Sequence, residues 1–463
     1  MPPTSGRARR PVGYVRGVSS RVSVEQHRAD VEDLLAVLIP GQGRTGGGAV
    51  RRSVERSDAG EALGRVLADD VVAPGPLPRF RNSQMDGFAV RAADVAGARA
   101  DAPVVLPVAG EVAARPGRPE PLAPGSAVRI MTGAPVPDGA DAVVPVEHTD
   151  AGTFNRDATR PAPSDTVRVR VPRAAGDFVR EAGSDVGAGD LVLPAGTLLA
   201  PHHLAAAAAC GIGELLVRRR VRVAIVSTGS ELVAPGEAAG PGQIWDANAV
   251  ALAAAVRASG AVVASTERVG DDEDAARETL RRAASSSDLV ITSGGVSQGA
   301  HEVVKDVLAD VVFRPVAMQP GGPQGFGRLD GTPVLTFPGN PVSTQVSFVV
   351  FLRGVLRRAA GLPPAEERRA VVGPDGIPDG GLASPGGKRQ FLRGRVRDGG
   401  PAAGLAGPRD GVPSRSGTPP VVDVVGGQGS HLVASMAAAD VLIDVPADAI
   451  ELNAGDEVAV LPL

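Results

Sequence analysis

The chain has 463 residues, about three times the length of a typical domain, so roughly two to four hydrophobic cores are expected. Charged residues make up 22% and apolar residues 43% of it, which is typical of globular proteins and excludes a wholly disordered chain. A net charge of -4 provides no general attraction for nucleic acid or an anionic membrane, and no uncharged apolar stretch is long enough to span a bilayer.

Residues 1–22 are rich in arginine and lack the apolar segment of a secretory signal, so they are predicted to be a disordered basic tail. A transit peptide is the alternative, although Pro2, Pro3 and Pro11 oppose an amphipathic helix there. The single cysteine, Cys210, cannot form an internal disulfide and is predicted to be buried. This cysteine usage favours a reducing compartment, and we expect a cytoplasmic protein.

The segment SVEQHRADVEDLLAVL has apolar residues at helical spacing and a serine, Ser23, that can cap a helix. After a glycine-rich break, EALGRVLADDVVA again has an amphipathic pattern. Another helix is predicted for the alanine-rich run HHLAAAAAC, ended by Gly211. We predict that residues 23–73 and 174–217 form one discontinuous linker domain around an inserted module.

The inserted module, residues 74–173, begins with the proline-rich loop PGPLPRFRNSQMDGFAV. Short β-branched runs then alternate with turns, namely PVVLPVAGEV, SAVRIMTGAPV, ADAVVPVEHT and TVRVRVP. This pattern predicts a small all-β domain.

From residue 218 to residue 360 strands and helices alternate, which predicts a three-layer αβα domain built on a doubly wound parallel sheet. The predicted strands are VRVAIVS, AVVASTERVG, DLVITSGG and PVLTFPG, and the predicted helices are ANAVALAAAVRASG, EDAARETLRRAAS, EVVKDVLADV and NPVSTQVSFVVFLRGVLRRAAG. Residues 361–463 return to short strands with Gly and Pro turns and are predicted to form a C-terminal β-barrel. The expected fold class is therefore multidomain α/β plus β.

Three loops of the α/β domain follow predicted strand ends: STGSEL at 227–232, SGGVSQG at 293–299 and PGNPVS at 338–343. The carboxyl ends of parallel strands lie at one edge of a sheet, so these loops are expected to meet there around a ligand. Small residues in the second loop let its backbone approach a phosphate or another oxyanion. The residues concerned are Ser293, Gly294, Gly295, Ser297 and Gly299. An ordinary strand-to-helix turn is the alternative for this loop taken alone.

Carboxylates lie at two further loop positions, Asp271 with Asp272, and Glu302 beyond the SGGVSQG loop. Beside a phosphate cradle they suggest a Mg²⁺ site, because hard cations prefer oxygen ligands and share substrate phosphates. Capping of the next helix is the better interpretation of Asp272, and a surface carboxylate is the alternative for the other two. His301 has no second His or Cys at metal-binding spacing, so zinc is not expected.

With these loops in this order, preceded by NSQMDGFAV and VRIMTGAPVP, the chain from about Ser23 to Leu463 resembles the molybdopterin molybdenumtransferase family, called MoeA in bacteria and matching the C-terminal part of gephyrin. The resemblance implies a four-domain subunit in a homodimer, with an α/β domain like that of MogA and MoaB. It implies that molybdate reacts with adenylylated molybdopterin, both of them anionic small molecules. The reaction depends on Mg²⁺, leaves molybdenum on the dithiolene and releases AMP. A molybdopterin adenylyltransferase is a candidate partner.

Carried over by motif, the implied site has three metal-binding carboxylates, Glu231, Asp271 and Glu302. Ligand-binding positions are implied in the loops and in the last domain, and they are Ser293, Gly294, Gly295, Ser297, Gly299, Pro338, Gly339, Asn340, Pro341 and Ser430. The N-terminal half is implied to contribute further catalytic residues, which are Asp86 of MDG, Thr132 of MTGAP and Asp185 of GSDVGAGD. Without the resemblance, a capped turn explains Asp86 equally well.

Two departures from the family pattern concern acids. Ser230 stands where the family often has an acid before Glu231, and Glu302 stands where an Asp is expected. Both changes can preserve metal binding, because an oxygen donor remains at or beside each position.

A third departure removes positive charge. In MQPGGP the family's lysines are replaced by Gln319 and Gly322, and Pro315 replaces another basic residue. Each charge-assisted hydrogen bond lost in this way is worth about 1.5–3 kcal/mol, unless Arg314 or Lys305 takes the place of a lysine.

Three functions are therefore weighed. The first is an active molybdenum-inserting enzyme, and the second is a paralogue that binds molybdopterin or a partner protein as a carrier or scaffold. The third, a molybdopterin adenylyltransferase, needs only the α/β domain and leaves the other three domains unexplained.

Overall fold

The computed structural model describes residues 21–40, 54–152, 166–296, 303–397 and 419–463. Most of the predicted basic tail, residues 1–22, lies outside this part of the chain. The chain divides into two compact units, one of residues up to Glu55 and from Arg218 onward, the other of Arg56–Val217. Within the described ranges no helix has both the length and the apolar character needed to cross a membrane.

Nine α-helices lie within the described ranges. They are α1 (Val24–Leu35), α2 (Ala92–Val95), α3 (Pro201–Ala209), α4 (Ala247–Ala258), α5 (Glu273–Ser286), α6 (Val303–Val307), α7 (Pro341–Ser347), α8 (Arg353–Ala360) and α9 (Val433–Ala437).

Short strands dominate the Arg56–Val217 unit. Their bounds are β1 (Val54–Asp58), β2 (Val71–Val72), β3 (Asn82–Ser83), β4 (Gly87–Val90), β5 (Val104–Val112), β6 (Ala127–Ile130), β7 (Ala142–Pro145), β8 (Thr166–Val169), β9 (Val179–Arg180), β10 (Leu191–Leu193) and β11 (Glu214–Arg218). Five of them form a mixed sheet in the order β7-β4-β6-β5-β8. Phe88, Leu106 and Val144 are buried in one core beneath it, which confirms the predicted all-β domain.

A second core of this unit joins segments that are distant in sequence. Leu67 is buried with Leu199 and Leu215, and β2 pairs with β10 and β1 with β11, so two distant segments build one discontinuous linker core. The segment EALGRVLADDVVA forms a bridge between Val66 and Leu198 and the strand β2. It does not form a helix, because its backbone pairs with the returning chain at Val66 and Leu67. Cys210 is only partly buried, at the C-cap of α3.

The α/β domain is built on a six-stranded sheet. Its region contains β12 (Arg222–Thr228), β13 (Leu232–Val233), β14 (Ile244–Trp245), β15 (Val262–Val269), β16 (Leu289–Ser293), β17 (Val311–Pro315), β18 (Met318–Gln319), β19 (Pro323–Leu329) and β20 (Thr332–Phe337). The sheet order is β15-β12-β16-β20-β19-β17. The first four strands are parallel, as predicted, and β19 and β17 add an antiparallel edge.

The first helix, α1, packs on the α/β domain. Its buried face, with Val31 and Leu35, shares one hydrophobic core with Leu252 of α4 and Val346 of α7. The sequence pattern predicts α1 in the linker domain, as part of residues 23–73 grouped with 174–217. The structure instead places α1 on the α/β domain, because its apolar stripe is buried against α/β helices.

The C-terminal strands close into a barrel. They are β21 (Arg368–Val372), β22 (Leu382–Ala383), β23 (Arg389–Val396), β24 (Val421–Val424), β25 (Val441–Val445), β26 (Glu451–Leu452) and β27 (Glu457–Pro462). The order β23-β24-β21-β27-β25 returns to β23 through the β23–β25 pairing, which confirms the predicted β-barrel. The short strand β18 pairs with β23, so the segment after β17 is joined directly to the barrel.

Candidate functional site

The loops that follow the parallel strands border one cleft of about 800 Å³. Glu231 after β12, Gly294 after β16 and Gly339 after β20 all line it, as does the N-terminal end of α4. Segments 319–323 and 428–431 border it as well. The carboxyl ends of β12, β16 and β20 are adjacent in the sheet, which is why loops far apart in sequence meet here.

The SGG turn after β16 requires glycine at two positions. Gly294 has φ +99°, and a Cβ there would lie 2.7 Å from Thr228 Oγ1. Gly295 has φ +69°, and a Cβ there would lie 2.5 Å from Val304 Cγ2. Residues with a side chain rarely adopt these backbone conformations. Glycine at both positions therefore lets the backbone of this turn pack directly against Thr228 and Val304.

Asn248, in the first turn of α4, links two of these loops. Its Nδ2 donates to Ser293 Oγ at 3.1 Å and to Gly339 O at 2.7 Å. Its Oδ1 is buried without a hydrogen-bond partner among the described residues. Asp246 caps the same helix through Oδ1, which accepts from Ala249 N at 3.0 Å, while its buried Oδ2 has no such partner.

Asp246 and Asn248 line the cleft, and sequence reasoning did not select them. A buried polar atom left unpaired costs about 1–3 kcal/mol, so two such oxygens beside a cleft are expected to meet water or a ligand. The available signal was the D-A-N triplet at the start of a predicted helix.

The PGNP loop is tied to the barrel. Asn340 Nδ2 donates to Ser430 Oγ at 2.9 Å, and Val342 N donates to Ser430 O at 3.2 Å. Pro338, Asn340, Pro341 and Ser430 line the cleft together. Arg393, which is 3% exposed, donates to the backbone oxygen of Gly429 at 3.1 Å, and burial lowers the pKa of this guanidinium.

The predicted carboxylates are placed differently from one another. Glu231 lines the cleft. Asp271 is exposed and is not among the described lining residues, but Ser230 Oγ donates to its Oδ2 at 2.5 Å and accepts from its backbone N at 3.2 Å. The serine that replaces the family's acid therefore holds the Asp271 loop beside Glu231. Asp272 caps α5 by accepting from Ala275 N at 2.8 Å, as its preferred interpretation predicted.

Three of the predicted site residues, Ser297, Gly299 and Glu302, lie outside the described residues, as does His301. Among the residues that are described, no group of three or more His, Cys, Asp or Glu is arranged to hold a metal ion.

The three site residues predicted in the N-terminal half lie in the Arg56–Val217 unit. Asp86 Oδ1 accepts from Thr132 N at 2.7 Å and from Thr132 Oγ1 at 2.8 Å, so the structure brings these two together. Asp185 is exposed in a separate turn, where its backbone N donates to Leu77 O at 3.0 Å.

Neither basic residue suggested as a replacement for the missing lysines lines the described part of the cleft. Arg314 pairs with Asp30 at 2.5 Å and lies over the ring of Phe326. Lys305 lies over the ring of Phe313. Gln319 does line the cleft, but the described residues that line the cleft include no Lys or Arg.

Comparisons with known proteins address the whole chain. Residues 22–211 match a family model described as the MoeA N-terminal region (domain I and II), residues 224–358 one described as a probable molybdopterin binding domain, and residues 412–463 one described as the MoeA C-terminal region (domain IV). Molybdopterin molybdenumtransferase 2 of Mycobacterium tuberculosis is 45% identical over 87% of this chain and 93% of its own length. The chain belongs to the molybdopterin molybdenumtransferase family, MoeA.

Other MoeA relatives agree. Molybdopterin molybdenumtransferase 1 of Mycobacterium tuberculosis is 34% identical, over 90% of this chain and 97% of its own length. The crystal structure of the molybdopterin biosynthesis MoeA protein from Pyrococcus horikoshii is similar with a TM-score of 0.69 and 27% identity, covering 96% of this chain and 99% of that one. A MoeA-like architecture therefore extends beyond the α/β domain, which leaves the adenylyltransferase function without support.

Proposed function

We propose that this protein inserts molybdenum into molybdopterin. It binds adenylylated molybdopterin and molybdate, cleaves the phosphoanhydride and releases AMP. The observation that carries this proposal is the convergence of the STGSEL, SGG and PGNP loops on one cleft, in a chain that aligns with nearly the full length of a relative named molybdopterin molybdenumtransferase.

The residues of the cleft support binding of oxyanions. Ser430 and Asn340 present polar groups at its edge, and the glycine turn at Gly294 exposes backbone to it. Preorganised donors of this kind stabilise charge that develops on phosphate oxygens. Asn248 contributes indirectly, because its two hydrogen bonds hold the loops in register.

We propose that the cleft also binds Mg²⁺. Glu231, Asp246 and Asn248 line the cleft with oxygen atoms, two of them buried and unpartnered among the described residues, and hard cations choose oxygen ligands. When bound, Mg²⁺ supplies neutralisation of the phosphoanhydride charge and of the departing phosphate. We propose that Asp271 and Glu302 complete this environment.

We further propose that the protein is a cytoplasmic homodimer. In this arrangement the β-rich domain of one subunit faces the α/β domain of the other and brings Asp86 and Thr132 to the reaction. The double hydrogen bond from Thr132 fixes the orientation of the Asp86 carboxylate. Asp185 is assigned to the hinge region of the same half, and a molybdopterin adenylyltransferase is the proposed supplier of substrate.

The direct test is to mix the purified full chain with adenylylated molybdopterin, molybdate and Mg²⁺, and to measure AMP and protein-bound molybdenum. We expect both to appear together and to disappear when EDTA removes the metal. A folded protein that binds the substrate and forms neither product would contradict the proposal.

One observation favours a second function, a molybdopterin carrier or scaffold. The described lining of the cleft contains no Lys or Arg, and the positions of the family's lysines are Gln319 and Gly322. If missing charge limits turnover, Gln319→Lys should raise AMP release by about tenfold or more, the equivalent of one charge-assisted hydrogen bond. Gln26→Lys, at an exposed position of α1, is the charge-matched control. Substrate binding without turnover in the wild type, with turnover gained in the variant, would establish the carrier.

A further inference from the structure

The cleft carries an exposed indole. Trp245, the only tryptophan of the chain, ends β14 and lines the cleft with 56% of its surface exposed. Among the described lining residues only Trp245 and His431 have aromatic rings. Ligand-binding clefts are lined mainly by hydrophobic and aromatic side chains, so an exposed indole in this cleft is a candidate ligand contact.

The indole is held in place from both sides. Its Nε1 donates to Glu237 O at 2.9 Å, and the backbone of β14 pairs with Val233 of β13. Asp246, the next residue, donates its backbone N to Val233 O at 2.9 Å and caps α4. An anchored ring loses little conformational entropy when a ligand covers it, so the exposed face is a preorganised platform.

Trp245 lies close in sequence to residues that bind or position the other loops of the cleft. The preceding residue, Ile244, donates its backbone N to Glu231 O at 2.8 Å, and Asn248 follows three residues later in α4. The described lining lacks Lys and Arg, so an anionic ligand gains less from charge pairing than it would beside them. Contact with an uncharged part of the ligand is therefore more important here, and aromatic stacking provides it.

We propose that Trp245 is a positioning residue that stacks on a planar heteroaromatic ring of a phosphate ester bound in the cleft. This inference rests on the proposed function, whose substrate carries two such rings, the adenine and the pterin. The shared chemistry is ring stacking beside a phosphate, and the two rings are distinguished by experiment.

Because the chain has one tryptophan, its fluorescence, excited selectively over that of the single tyrosine, reports on this site alone. The full chain is titrated with AMP, with 6-hydroxymethylpterin and with ribose 5-phosphate, which has the phosphate but no aromatic ring. We expect quenching by AMP or by the pterin, which identifies the ring, and none by ribose 5-phosphate. Equal responses to all three, or no response to either ring, would overturn the proposal.

Variants extend the test by calorimetry. Trp245→Ala should weaken binding of the quenching ligand by about tenfold or more, whereas Trp245→Phe, which keeps a ring, should retain most of the affinity. Val250→Ala removes an equally exposed apolar side chain from α4 that does not line this cleft, and should change nothing. Unaltered affinity in Trp245→Ala would refute stacking, and loss of the dimer in the same variant would show that the indole covers a protein surface instead.

Turnover separates this inference from the proposed reaction. In an active enzyme Trp245→Ala should raise KM for adenylylated molybdopterin about tenfold with little change in kcat, as expected for lost ring binding. An unchanged KM would refute stacking and leave the reaction standing. If no AMP is released by the wild type, Trp245-dependent quenching by AMP would support the ring site while the reaction fails.

Discussion

Asn248 holds two loops of the cleft together through its side-chain amide. It is 8% exposed and joins Ser293 of one strand-end loop to Gly339 of the next. Asn248→Ala removes both hydrogen bonds, so we expect the free energy of unfolding to fall by about 1–3 kcal/mol. AMP release should fall by more than about tenfold, because small displacements of positioning loops reduce rates strongly.

The matched control lies at the other end of the same helix. Ser259, 2% exposed, donates its Oγ to Ala255 O at 2.8 Å. Ser259→Ala should also destabilise the protein, by about 0.5–1.5 kcal/mol, with AMP release unchanged. Chemical denaturation and a steady-state assay measure the two quantities, and equal losses of activity in both variants would show that Asn248 acts only through stability.

Asp271 and Asp272 are neighbours with different roles, which makes them a second matched pair. Asp271 is bound by Ser230, beside Glu231, and Asp272 caps α5. We expect Asp271→Asn to lower AMP release by at least about tenfold, because a carboxylate of the metal environment is lost. Asp272→Asn should leave it unchanged, since Asn caps helices as well as Asp. A wild-type rate in Asp271→Asn would exclude Asp271 from the site.

Single residues also show where sequence reasoning ends. Asn340 and Ser430 were implied by the family resemblance, and in the structure Asn340 Nδ2 donates to Ser430 Oγ at 2.9 Å. Asn248 was missed because polar residues at a helix start are common and usually cap it. Only the tertiary structure shows that its amide points at two loops from other strands.

At the level of elements, the contact of α1 with the α/β domain depends on a buried histidine. His27 is 1% exposed, lies edge-on to Phe326 and Phe351, and its Nδ1 accepts from Arg314 Nε at 3.2 Å. Burial, followed by the charge of Arg314, lowers its pKa from 6.5 to about 3. The ring is therefore neutral in the folded protein at neutral pH.

This pKa shift predicts a pH dependence of stability. Between pH 6.5 and about 3 the unfolded chain binds a proton at His27 that the folded protein does not. The contribution of His27 to the free energy of unfolding should therefore be fully present above pH 6.5. It should fall as pH decreases, by up to about 1.4 kcal/mol per pH unit.

His27→Asn tests the pH prediction, because it keeps an acceptor for Arg314 and removes the titrating ring. The variant will be less stable at neutral pH, but the stability that it loses between about pH 6.5 and 5 should be smaller than the wild-type loss by nearly the whole His27 contribution. Denaturant melts at several pH values give the two slopes. Parallel slopes would mean that His27 is not the source.

The elements differed in how well the sequence predicted them. The strands β12, β15, β16 and β20 were predicted because each is a β-branched run bounded by turns. The antiparallel strands β17 and β19 were missed, since Pro315 ends one and glycines interrupt the other. The segment predicted as one helix after PGNP contains a π-helical stretch at Phe348–Leu352 between α7 and α8, which apolar periodicity cannot resolve.

For the whole molecule, the sequence predicted the fold class and the resemblance predicted the family, and both are confirmed. What composition and pattern could not give is which segments pack together. The helix α1 belongs to the core of the α/β domain, and the barrel supplies Ser430 and Gln428 to the cleft. Long-range packing of this kind depends on complementary surfaces rather than on local periodicity.

The proposed dimer allows a test by complementation. If each active site combines the α/β domain of one subunit with the β-rich domain of the other, Glu231→Gln and Thr132→Ala damage different halves of it. Each variant alone should be strongly impaired. A mixed dimer has one site with both halves intact and one with both damaged, so an equimolar, subunit-exchanged mixture should recover about a quarter of the wild-type AMP release.

The control mixture combines two variants damaged in the same half, Asp86→Asn and Thr132→Ala, whose side chains share a hydrogen bond. Every mixed dimer of this pair has a damaged β-rich half at both sites, so no activity should return. Subunit exchange is verified by native mass spectrometry with one variant isotope-labelled. Verified mixed dimers of Glu231→Gln and Thr132→Ala that stay inactive would mean that each site is built within one subunit.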